Sequence, residues 1–175
     1  MSVLKLLTSS PVNMAVNNLF WAGCVIGRYD LLWLVAPAIL GYLALLLAAG
    51  TLHWQQLWPT IVLGVVVDSL YTATGIFQFP DHSLLLPLWM WALWIAFATT
   101  LPMSLRWLGK HPLVAALTGA LGFPFSYLLG FELGAIAYPH SLYPTLLLIG
   151  ITWALLLPLL YRWTQSAPVS VHAPA

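Results

Sequence analysis

Charge is what this sequence has least of. Its 175 residues include five Lys and Arg and four Asp and Glu, only 5% of the chain, where soluble domains carry roughly 25%. With 62% hydrophobic residues, a soluble fold of this length would expose apolar patches large enough to aggregate. Lipid must be the solvent for most of the surface. The formal net charge of +1 supplies no basic field for nucleic acid, which excludes that class of partner.

Cysteine is nearly absent too. The single Cys24 excludes an intrachain disulfide framework and reads as a small membrane-buried residue. His53, His82, His111, His140 and His172 are scattered over predicted loops and the tail, and no pair has helical metal-ligand spacing. No metal site and no cofactor are expected. A P-loop, a dinucleotide fingerprint and a nucleophile–base motif are all missing. The N-terminal apolar stretch follows Lys5 and is interrupted by Asn13, Asn17 and Asn18. It reads as a retained first helix rather than a cleaved signal.

What is present is a series of long uncharged runs. About 20 apolar residues cross a hydrocarbon core roughly 30 Å thick. With Pro, Gly and His as punctuation, six helices are expected at 12–27, 31–50, 57–78, 84–108, 112–136 and 142–163. The first is the shortest and most polar, and a half-span is its alternative. The fold class is therefore an all-α polytopic transmembrane helix bundle. Residues 1–163 form its single domain, and the Pro/Ala-rich tail 164–175 is expected to be disordered. With six spans, Lys5, Arg106, Lys110 and Arg162 share one side and Arg28 the other. The positive-inside rule then places both termini inside. Asp81 and Glu132 fall near the outer boundary.

One charge lies inside a span. Asp68 sits in LWPTIVLGVVVDSLYTATGIF, Leu57 to Phe77. A carboxyl near the bilayer centre costs about 2.5–3.5 kcal/mol on insertion scales, so such residues face a bundle interior and take a partner. Gly64, Asp68 and Thr72 share one helical face, followed by Gly75. Thr100 and Ser104 repeat the spacing on the fourth helix. On the fifth, Gly122, Ser126, Gly130 and Gly134 form a small-residue stripe. Pro124 is expected to kink that helix and free the Ala120 carbonyl as polar lining.

The candidate polar cavity is accordingly Asp68, Thr72, Thr100, Ser104, Ser126 and Tyr127. Gly64, Gly122, Gly130 and Gly134 are the helix-packing positions. A carboxyl with no fixed cation nearby favours its neutral form. Two readings of Asp68 stay open: a functional acid, or a packing bridge between helices. Trp54, Trp58, Trp107 and Trp163 occupy interfacial positions. Trp89, Trp91 and Trp94 are read chiefly as anchoring and packing, with an aromatic wall for a lipid or isoprenoid chain as the alternative.

The pieces Gly64, Asp68, Ser69, Leu70 and Gly75, then Pro87 to Leu108, Gly119 to Gly130 and Leu133 to Ala135, together resemble an uncharacterised family of small bacterial inner-membrane proteins, domain of unknown function 2878. The resemblance runs from about Asn17 to Trp163. It departs at Phe123, where that family more often has glycine before the proline. It implies a multi-pass protein of the bacterial inner membrane. Its members are often encoded near photolyase-like and cyclopropane-fatty-acid-synthase-like proteins, which implies lipid remodelling under stress. It carries no established activity. Three functions are expected to compete: an accessory factor or enzyme in membrane-lipid modification, a small proton-coupled transporter or flippase, and a scaffold. The partners would be membrane lipid and other lipid-modifying membrane proteins.

Overall fold

A computed structural model of the chain describes residues 3–80 and 85–165. Asp81, His82 and the tail beyond Gln165 lie outside the described residues. Among the described residues there is no β-strand. The helices are α1 (Val3–Leu7), α2 (Ser10–Ala48), α3 (Trp54–Ala73), α4 (Leu88–Ala98), α5 (Pro112–Glu132) and α6 (Leu142–Gln165), with a 3₁₀ turn at Arg106–Lys110. The all-α class is as expected.

Three helices, Ser10–Ala48, Pro112–Glu132 and Leu142–Thr164, are long and apolar enough to cross a membrane. The first of these is not straight. Arg28 has φ 45° and ψ −126°, and the chain reverses there. The Phe20 and Tyr42 rings meet edge to face with centroids 6.0 Å apart, whereas a straight helix would hold them about 33 Å apart. Arms 10–27 and 29–48 therefore form a hairpin, which matches the expected first and second helices. Gly23 lets the arms close, because a Cβ there would stand 2.8 Å from Val35 Cγ2.

Three expected helices end before their apolar runs do. Residues 57–78 were expected as one helix. It starts earlier, at Trp54, and stops at Ala73 because Gly75 takes φ +71°. Gly75 and Ile76 N–H then bond back to the Thr72 and Tyr71 carbonyls at 3.1 and 2.8 Å, a left-handed helix stop that only glycine makes without strain. Gly134 (φ +69°) ends α5 at Glu132 in the same way. Gly75 and Gly134 are terminators, not members of packing stripes.

The larger correction concerns 84–108. α4 ends at Ala98, because Pro102 has no N–H for the Ala98 carbonyl. Thr99 and Thr100 hydroxyls donate instead to the Ala96 and Phe97 carbonyls at 2.9 and 2.7 Å. The chain turns through 99–105 before the 3₁₀ segment. With 11 residues, α4 is about half of a membrane span.

The helices pack in the sequence α2–α4–α3–α6–α5. No comparable seam joins α5 back to α2, so the ring is open there. At one end Arg28 Nη2 reaches the Leu133 carbonyl at 3.4 Å. Phe77 and Phe79 are buried in the loop after α3, and Gln78 pairs with Ala137. The opposite end joins Ser104 to the Ser10 carbonyl at 2.9 Å and Tyr161 to the Leu105 carbonyl at 2.8 Å. Arg106, Lys110 and Arg162 belong to that second end.

Candidate functional site

Asp68 lies about a turn and a half before the C-terminal end of α3, rather than at its middle. It is fully buried, and among the described residues it is the only buried acid. Two helices supply its partners. From α4, Trp94 Nε1 donates to Oδ2 at 2.7 Å. From α5, the Tyr127 hydroxyl is hydrogen-bonded to Oδ1. Both partners are neutral, and the described residues give Asp68 no ion pair. Each carboxyl oxygen has a partner, which lowers the cost of keeping the group out of water.

Trp94 reaches Asp68 because Gly64, one turn earlier on α3, has no side chain. A Cβ at Gly64 would stand 2.2 Å from Trp94 Cδ2. The indole lies across that gap and also stacks on Trp153, with centroids 5.2 Å apart. Trp153 in turn lies flat on Phe123 at 3.9 Å and 3°. The Gly64→Ala protein should therefore lose about 1–3 kcal/mol of stability, since the stacked indole has little room to retreat. A thermal melt in detergent measures this, and an unchanged melt would show that Trp94 can shift.

Beside Asp68 is a cavity of about 250 Å³. Its lining runs from Leu105 near one end of the bundle to Ala135 and Ile136 near the other. Apolar and aromatic side chains dominate. Asp68, Ser126 and Tyr127 are its polar floor, and Thr118 adds a hydroxyl. Trp21 Nε1 donates to Ser126 Oγ at 3.0 Å, bridging the open side between α2 and α5. Gly122, also in the lining, is exposed. The cavity is thus open beside the middle of α5.

Of the six residues expected around the cavity, three line it: Asp68, Ser126 and Tyr127. Thr72 is buried on α3, but its hydroxyl donates to the Asp68 backbone carbonyl at 2.8 Å. Thr100 and Ser104 are elsewhere, because the break after Ala98 ends the helical spacing that aligned them with Asp68. Ser104 instead donates to Asn13 Oδ1. It belongs to a second polar cluster in which Asn13 and Asn17 amides donate to Thr99 Oγ1 at 2.9 and 3.0 Å. Two of the three asparagines that interrupt the first apolar run, Asn13 and Asn17, are thus buried partners for the end of α4, while Asn18 is exposed.

The glycine stripe also divides. Gly64 accommodates Trp94. Gly130 has ordinary contact with Ile136 at 3.8 Å, and Gly122 meets only Thr118 at 3.9 Å. The close crossing of α5 with α6 lies instead at Gly119 and Gly150. A Cβ on Gly119 would stand 2.1 Å from the Trp153 carbonyl oxygen. One on Gly150 would stand 2.8 Å from the Ala120 oxygen. The carbonyl freed by Pro124 is therefore covered by α6 and does not line the cavity. Trp94 is the chief residue that sequence reasoning passed over. Its one signal was the glycine on the helix it crosses.

No curated protein and no solved structure matches this chain. A family model described as a protein of unknown function (DUF2878) matches residues 10–159.

Proposed function

The chain belongs to that family, DUF2878, and on this premise we propose that it is a membrane protein that takes a lipid-class molecule from the bilayer into the cavity beside Asp68. The setting would be membrane-lipid modification, with the protein as enzyme or accessory factor. The observation that carries this reading is the open, mostly apolar cavity with a buried carboxyl in its lining. A soluble ligand would need a route from water. A lipid chain needs only a gap between helices, and the missing seam between α5 and α2 supplies one.

The positive-inside pattern and the resemblance described above support a bacterial inner-membrane setting with the Arg106, Lys110 and Arg162 end toward the cytoplasm. Native mass spectrometry of protein extracted in mild detergent tests the binding step. Adducts of membrane-lipid mass are expected, together with a shifted lipid profile in cells lacking the gene. A lipid-free protein and an unchanged profile would reject the proposal. Proton-driven solute uptake into proteoliposomes would favour the transporter reading instead.

A further inference from the structure

We propose that the ligand of this cavity is a single acyl chain carrying a carbonyl oxygen, and that this oxygen accepts a hydrogen bond from the Tyr127 hydroxyl. The inference rests on the lipid-binding reading above and specifies its chemistry.

An indole N–H only donates, so Asp68 Oδ2 is an acceptor toward Trp94 in either protonation state. The contact between Oδ1 and the Tyr127 hydroxyl can run in either direction, because a phenol both donates and accepts. If Asp68 is ionised, Trp94 and Tyr127 both spend their protons on it. The floor of the cavity would then favour a cation. If Asp68 is neutral, Oδ1 carries the proton and donates it to the Tyr127 oxygen. The phenol proton is then released toward the cavity that Tyr127 lines, where it meets an acceptor.

The surroundings favour the second arrangement. Among the described residues no Lys, Arg or His lines the cavity, and a lone ion in lipid is costly. Most of the remaining lining, including Val25, Met90, Leu93, Phe97 and Leu157, offers no polar partner. That suits a hydrocarbon chain. At about 30 Å³ per water-sized group, about 250 Å³ admits a stretch of one chain rather than two chains and a headgroup. The gap beside Gly122 leaves the rest of the lipid in the bilayer.

Asp68 is a positioning residue in this account, and Tyr127 is the contact. Three probes of equal chain length separate the alternatives: methyl palmitate, which only accepts; hexadecylamine, a cation; and hexadecane, with no polar group. Native mass spectrometry of the full chain in detergent gives their relative occupancy. Methyl palmitate should bind about tenfold better than hexadecane, the worth of one well-placed hydrogen bond. Tyr127→Phe should erase that preference. Asp68→Asn should keep it, because the amide can donate to Tyr127 and accept from Trp94 as a neutral acid does.

Preference for hexadecylamine that Asp68→Asn abolishes would overturn the inference in favour of an ionised site. Equal binding of all three probes by the unmodified protein would overturn it while leaving the lipid-binding reading standing. If none of the three binds, the lipid-binding reading fails with it. The comparison of probes on the unmodified chain needs no variant to fold.

Discussion

Trp94→Ala should lose about 3–5 kcal/mol of stability, the range for removing a large buried aromatic side chain. The substitution acts at three places. It removes the ring that stacks on Trp153 and meets Phe97 edge to face at 5.6 Å. The space over Gly64, which the indole fills, is left empty. Asp68 Oδ2, on a fully buried side chain, also loses its donor. Trp94→Phe separates these effects. It keeps much of the stack and loses only the N–H, so its cost should be about 1–3 kcal/mol, that of a buried acceptor left unpaired. Unfolding in mixed micelles measures both. Equal losses for the two variants would mean that the indole N–H contributes nothing.

Gly119→Val should cost about 3 kcal/mol or more. In lipid there is little hydrophobic drive between helices, so their association depends on close van der Waals packing. α5 and α6 meet through backbone at Gly119 and Gly150. A flexible side chain could yield to a new methyl group, but the Trp153 carbonyl is fixed in its helix. The helices would have to separate, and the Phe123–Trp153 stack would open with them. Gly122→Ala is the control. Its new Cβ meets only Thr118 at 3.9 Å, and alanine favours a helix by about 1 kcal/mol over glycine. It should be neutral or slightly stabilising. Comparable losses at the two positions would contradict the crossing described here.

Asp68 stood out in the sequence because a charge is conspicuous in an apolar run. Tyr127 was found beside it because α5 keeps helical spacing through Ser126 and Tyr127. Trp94 was hidden because a tryptophan in a membrane protein has two ordinary places, the interface and the interior, and spacing alone does not separate them. Thr100 and Ser104 were misplaced for a backbone reason: the i, i+4 rule holds only while a helix continues, and Pro102 ends this one. The packing role assigned to Gly122 belongs to Gly119, three residues away in the same run. A small residue in sequence says that two backbones can approach, and only the partner helix decides where they do. The hairpin at Arg28 was visible as the charged break between two apolar runs. The missing seam between α5 and α2, on which the functional reading depends, had no sequence signal, because it is a property of packing order.

The central claim is that a lipid chain enters the cavity from the side. Photo-crosslinking with a diazirine-bearing fatty acyl probe in native membranes, followed by peptide mapping, tests it most directly. Labels should concentrate on cavity-lining residues such as Val25, Phe123 and Ser126, with labelling suppressed by excess unlabelled acyl chain. Labels spread evenly over outward-facing residues such as Leu121, Phe125 and Leu155, and unaffected by competitor, would contradict it.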